Sequence, residues 1–267
     1  MEVQDIYIYP IKSLGGVRVK HAYVEEKGLR FDRRWMLVDT RQIFYTQRVV
    51  HQMALLQVDL KPEGLTIYHK NFPEQSLTVP YEPESSERLP VEIWEDNVVA
   101  QLVGKKYSEW FSDMLEAKLD LVVMPATTKR LIKKKYAVHD ESVSFADAHP
   151  YLLISQASLD DLNSRLEIPV PMDRFRPNIV ISGTEPYAED GWQYFTINRV
   201  PFKATKPCAR CVVTTIDQDS AIKSKEPLRT LASYRTQEHK VLFGQNLIAL
   251  DNGEIKIGDS VSLDKGA

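Results

Sequence analysis

The sequence predicts a mainly β protein, of barrel or sandwich type, with a few short helices. Short β-branched and aromatic runs recur at close intervals along most of the chain. Their spacing is too tight for repeated βαβ units. Helical periodicity shows in only a few segments. In the first half, strands are expected at residues 6–9, 17–20, 34–38, 55–60, 65–68, 91–94 and 98–100. Residues 107–116 place Trp110, Phe111, Met114 and Leu115 on one side of a helix, and residues 120–124 read as the next strand. Residues 125–149 read as a linker or long loop. Within it the basic run from Lys129 to Lys135 is a solvated face or, more sharply, a docking or anion-steering surface.

The second half continues in the same style. A strand is expected at 151–154, and Ser155 then caps a helix carrying Leu159, Leu162 and Leu166. Residues 178–181, 195–197 and 212–216 read as strands. A helix near 227–234 turns Leu228 and Leu231 inward. Strands at 247–250, 254–257 and 260–263 close the chain, the first two joined by an Asp251-Asn252-Gly253 turn.

The 267 residues are 43% hydrophobic and 27% charged, a composition ordinary for a soluble globular protein. A net charge of −3 gives no global basic field for a nucleic acid duplex. No apolar run approaches the roughly 20 residues that span a bilayer. The N-terminus shows no secretory signal. Two cysteines make no disulfide scaffold, so a cytoplasmic location is expected.

Those two cysteines are three residues apart, in Cys208-Ala209-Arg210-Cys211. A thioredoxin-like pair needs a helix directly after the first thiol. A zinc site needs about four ligands. Burial without chemistry is a further reading. A fourth is a metal whose other ligands come from a bound cofactor, for which one thiolate is enough. A phosphorylated cofactor needs cationic and hydroxyl anchors from several loops. Lys12-Ser13-Leu14-Gly15-Gly16 offers one such turn, and Arg33 and Arg34 lie at the entry to a strand. Arg174, Arg176 and Asn178 surround Pro177, which is expected to hold Arg176 and Asn178 in extended backbone.

Taken together, these stretches resemble the MOSC family, proteins that bind the molybdenum cofactor. The likeness is to the branch with an N-terminal MOSC β-barrel domain, which includes mitochondrial amidoxime-reducing components and bacterial YcbX-like proteins. It rests on Tyr9-Pro10-Ile11-Lys12-Ser13, Asp32-Arg33-Arg34-Trp35 and the run from Leu152 to Leu159. It continues through Phe175-Arg176-Pro177-Asn178, Tyr187-Ala188-Glu189-Asp190, Cys208-Ala209-Arg210-Cys211 and Phe243-Gly244-Gln245-Asn246. The resemblance implies an N-terminal MOSC β-barrel domain over 1–124 and a MOSC domain over 125–267. It makes Cys211 the molybdenum ligand and leaves Cys208 a neighbour. It makes Lys12, Ser13 and Arg33 holders of the pterin (molybdopterin) and its phosphate, with Arg176, Asn178 and Arg210 as anchors from the other side. Ala148 and His149 stand where relatives carry a hydroxyl pair, and Ala209 where some carry serine. His149 is then either a packed loop histidine or a polar cofactor contact or proton donor.

The implied activity is reduction of N-hydroxylated small molecules such as amidoximes, hydroxylamines or N-hydroxylated bases. Cluster cysteines are lacking, so electrons are expected from a separate donor, a ferredoxin-like protein or flavoprotein. The basic run at 129–135 is a candidate dock for it. A cofactor carrier or sulfur-transfer protein is the alternative, and a thiol redox protein is a third class. Four converging cations would repel one another without an anion between them.

Overall fold

The structure, a computed structural model, describes residues 1–264. It is mainly β, as expected, with three α-helices among the described residues. The first half opens with β1 (Glu2–Ile8), β2 (Val17–Val19), β3 (His21–Glu25), β4 (Gly28–Leu29) and β5 (Trp35–Asp39). A meander of β6 (Leu56–Lys61), β7 (Gly64–His69) and β8 (Phe72–Val79) follows, then the hairpin of β9 (Arg88–Ile93) and β10 (Asp96–Leu102). Helix α1 (Lys105–Met114) buries Tyr107 and Phe111, one turn apart. β11 (Leu119–Val123) then pairs with both β5 and β10.

The second half opens with β12 (Tyr151–Ser155), which runs into α2 (Gln156–Ser164). Ser155 caps that helix as expected, its hydroxyl accepting from the Ser158 N–H at 3.1 Å. Leu159 and Leu162 are buried, while Leu166 lies past the helix end. Then come β13 (Ile179–Ser182), β14 (Tyr194–Ile197), β15 (Val200–Ala209), α3 (Leu228–Tyr234), β16 (Thr236–Gln237), β17 (Lys240–Ala249), β18 (Gly253–Lys256) and β19 (Val261–Leu263). The largest sheet runs β19-β14-β15-β17-β12-β13-β1-β2, with β16 on the side of β17. β1 is therefore bonded to β13, and β3 to β18, so the first strands are stitched to the last third of the chain. None of the sheets closes on itself.

One core cluster fills the space between the large sheet and β3 and β18, around Ile6, Leu29, Leu153, Phe195 and Phe202. A second, around Leu37, Leu56, Ile67, Phe111 and Leu121, lies under the meander and α1. Phe31 and Leu60 pack against both, so the two cores adjoin. Among the described residues no helix is long and apolar enough to cross a membrane.

Two local expectations fail, both beside the cysteines or the arginines. Residues 212–216 are not a strand: Val212–Thr215 is a 3-10 turn. Thr214 and Thr215 donate their hydroxyls to the carbonyls of Cys211 and Val212 at 3.0 and 2.7 Å. Such side-chain bonds compete with ladder pairing and override β propensity. The strand instead comes before Cys211 and carries Cys208, as β15. Arg176 is not extended either. Its backbone sits at φ 53°, ψ 48°, closing the 3-10 turn Met172–Phe175, with its N–H donating to Asp173 O at 3.1 Å.

Candidate functional site

The turn after β1 is pinned by the Lys12 N–H, which donates to Trp35 O at 2.8 Å. Its glycines are there for close approach. A Cβ on Gly16 would stand 2.4 Å from the Tyr9 ring, and one on Gly15 2.5 Å from Gln57. Ser13 takes φ 70°. Lys12, only 4% exposed, donates from Nζ to Phe145 O at 2.8 Å and to Asp147 Oδ1 at 2.6 Å. Burial pushes the Lys12 ammonium down to about 8, against the opposing pull of Asp147.

Arg33, at φ 49°, and Arg176 flank one aromatic ring, their guanidinium carbons 4.5 and 4.2 Å from the Tyr9 centroid. Arg33 is held by Asp32 at 2.8 and 3.0 Å, by Asn178 Oδ1 at 3.2 Å and by Arg176 O at 3.2 Å. Burial works against the Arg33 charge, but Asp32 more than offsets it. Asn178 is itself fixed, accepting from Leu152 N–H and donating to Tyr7 O, each at 3.2 Å. Among the described residues Arg176 has no carboxylate within ion-pair distance. Burial pushes it down to about 10, and its buried Nη2 lacks any partner. Arg210 donates to Phe175 O at 2.6 Å and to Cys208 Sγ at 3.1 Å, while its Nε is buried and unpartnered.

All eight residues singled out from the sequence line one cavity: Lys12, Ser13, Arg33, His149, Arg176, Asn178, Arg210 and Cys211. Its volume is about 140 Å³, and it opens to solvent. The neighbouring arginines do not join them. Arg34 pairs with Glu25 at 3.0 Å and Arg174 with Asp217 at 3.0 Å. Cys208 and Cys211 are both free thiols, partly exposed on the cavity wall. Among the described residues no group of three or more His, Cys, Asp or Glu converges as a metal site, so the donor set is not that of zinc.

His149 is buried, edge-on to Tyr136 at 5.3 Å, and neither ring nitrogen has a partner. Burial first, and the Lys206 charge second, push it down to about 3. It is therefore a neutral imidazole near neutral pH, not a charged proton donor.

Sequence reasoning missed Arg48 and Asp147. Asp147 binds Lys12 and Arg48 together. Burial alone would raise its pKa, but those two cations hold its carboxyl well below the usual range. Arg48 lies beside Cys211: burial works against its charge, but Asp147 first, and the neighbouring Cys211 sulfur second, more than offset it. Neither residue sits in a motif with turn or spacing signals. Arg130, from the basic run, is not solvated. It donates to the carbonyls of Ser144 and Asp147 at 3.0 and 2.9 Å, fixing the segment that carries Asp147. Lys129, Lys133, Lys134 and Lys135 are exposed.

The cavity can hold a multiply charged anion next to a thiol. Three of its lining residues (Ser13, Arg33 and Arg176) adopt left-handed backbone, a strain that concentrates at ligand sites.

Residues 140–262 match the MOSC domain, and residues 1–118 the MOSC N-terminal beta barrel domain. Mitochondrial amidoxime-reducing component 1 of Mus musculus is 35% identical over 98% of this chain and 82% of its own length. The Homo sapiens protein of the same name is 34% identical over the same shares. Molybdenum cofactor sulfurase of Oryza sativa is 31% identical over 98% of this chain and 34% of its own. The chain belongs to the MOSC family, with the MOSC N-terminal β-barrel domain preceding the MOSC domain.

Proposed function

We propose that the protein binds the molybdenum cofactor and reduces N-hydroxylated small molecules with electrons from a separate ferredoxin-like or flavin-containing donor. The observation that carries this is that Arg176 and Arg210, each with a buried guanidinium N–H that lacks a partner, line a cavity that also holds a free thiol. Buried cations without partners are costly unless an anion completes them. A pterin phosphate supplies that anion, and a dithiolene supplies the metal ligands that the chain lacks. The donor set therefore fits the cofactor.

In this reading Lys12, Arg33, Arg176 and Arg210 hold the phosphate, with Ser13 as a hydroxyl partner. Asn178 orients Arg33 by accepting from it. Cys211 would provide the one protein sulfur ligand to the metal, with Arg48 beside it. The bound cofactor supplies two-electron redox chemistry. The overall reaction takes R–NHOH, two electrons and two protons to R–NH2 and water. Neutral His149 can donate or accept one hydrogen bond at each ring nitrogen, which suits it to holding an N–OH group. The names of the mouse and human relatives support the reductase reading. That of the rice protein favours a second, a cofactor carrier or sulfur-transfer role.

Molybdenum and pterin analysis of protein made in a cofactor-producing host, with turnover of a test hydroxylamine by an artificial donor, separates the readings. Cofactor with turnover is expected; cofactor without turnover supports the carrier. Cys211→Ser is expected to lose metal ligation and at least 100-fold in turnover, and Cys208→Ser to keep most of both. Equal loss in the two variants would support a two-thiol site instead.

A further inference from the structure

A second cavity, of about 720 Å³, adjoins the first and shares Asp147, Ala148 and His149 with it. That is the volume a small-molecule site needs. Side chains connect the two across the shared wall. The Lys12 ammonium lies 5.6 Å from the Phe44 ring centre, and the Arg48 guanidinium 4.6 Å from that of Trp94. Trp94 Nε1 donates to Asp147 Oδ1 at 3.3 Å. Because Arg48 also lies beside Cys211, one guanidinium separates the thiol from the aromatic wall.

The lining of this second cavity has two characters. Phe44 and Trp94 form an aromatic wall, their rings 5.0 Å apart, and Trp94 is 42% exposed. Next to it Tyr136 carries two ammonium groups over its ring, Lys135 at 4.8 Å and Lys206 at 4.7 Å. Neither lysine has a carboxylate partner among the described residues. Glu95, Asp96 and Asp147 of the same lining are paired with Lys133, Arg130 and Lys12, so the two lysines about Tyr136 remain to attract an anion, while Trp94 offers a planar stacking surface. His149 lies between the two cavities, with both ring nitrogens free of partners.

We propose that this cavity is the substrate site, selecting a planar N-hydroxylated aromatic ring that carries an anionic group, a phosphate or a carboxylate. The inference rests on the reductase reading above. The ring stacks against Trp94, the anionic group accepts from Lys135 and Lys206, and the N–OH end meets His149 and Arg48 at the wall shared with the thiol.

The test uses cofactor-loaded protein and two matched pairs of ligands: an N-hydroxylated adenosine monophosphate with its uncharged nucleoside, and benzamidoxime with and without a ring carboxylate. The native protein is expected to prefer an anionic member in kcat/KM, and the pair showing the preference identifies phosphate or carboxylate. Lys135→Gln/Lys206→Gln is expected to reduce that preference about tenfold, or about 1.4 kcal/mol, through KM. Calorimetric binding of the anionic ligand should weaken in parallel. A preference unchanged by the double variant would overturn the proposal. So would a defect that follows donor concentration, which would make the lysines a donor dock. If the native protein reduces none of the compounds, the reductase reading fails, and the calorimetry still decides this one.

Discussion

At the scale of single residues, the site is a set of local sacrifices. Arg176 combines a left-handed backbone ahead of a proline with a buried, unpaired guanidinium. Each feature disfavours the ligand-free protein. Arg176→Gly relieves both, so it is expected to raise the stability of the ligand-free protein by about 1 kcal/mol in urea unfolding while cutting phosphate or cofactor retention at least tenfold. His149 gives a pH prediction. Its folded pKa of about 3 lies below the ordinary 6.5, so the unfolded chain takes up this proton first as pH falls. Stability attributable to neutral His149 is whole above about 6.5 and is lost as pH falls toward 3. The loss reaches about 2 kcal/mol by about pH 5. His149→Phe is expected to flatten that acid limb, read as urea midpoints across the window.

At the scale of elements, the turn after β1 shows how a glycine serves charge placement. Tyr9 is 1% exposed and packs against Arg33 and Arg176, so its ring can yield to a new methyl group only by displacing them. Gly16→Ala is expected to cost about 1–3 kcal/mol in unfolding experiments and to weaken phosphate binding, because the ring carries both guanidiniums with it. The cysteine pair is an element-scale lesson as well. β15 ends at Ala209, and the 3-10 turn Val212–Thr215 leaves Cys211 at the junction. That placement gives neither thiol the α-helix N-terminus that a thioredoxin-type pair uses, since Cys211 precedes only a four-residue 3-10 turn. β15 itself was invisible as a strand. Its lysines and prolines mask any alternation, and its last residues, Lys206, Cys208 and Ala209, line the cavities rather than the core.

At the scale of the molecule, the anion site is assembled from distant segments. Lys12, Arg33 and Arg48 come from the first half, and Arg176, Arg210 and Cys211 from the second. An anion bridging them stabilises the folded state as a whole. Inorganic phosphate at about 100 times its Kd is expected to add about 2.7 kcal/mol, raising the melting temperature by several degrees over chloride at matched ionic strength. Arg33→Gln/Arg176→Gln should abolish the difference. A phosphate effect that persists in the double variant would place the anion elsewhere.

The chain's sequence by itself was enough for the mainly β class, the Ser155 cap, the one-sided helices and eight of the residues that line the cavity. Periodicity and turn chemistry are local, and motifs keep their residue types in order along the chain. Tertiary structure alone brought in Arg48 and Asp147, which have no local signature and matter through the charges they meet. It also decided that Arg176 turns left-handed, that Thr214 and Thr215 close a turn instead of a strand, and that β1 joins β13. Those outcomes depend on which groups lie across the fold, where side-chain hydrogen bonds, burial and ion pairing outweigh the weak propensities of single residues.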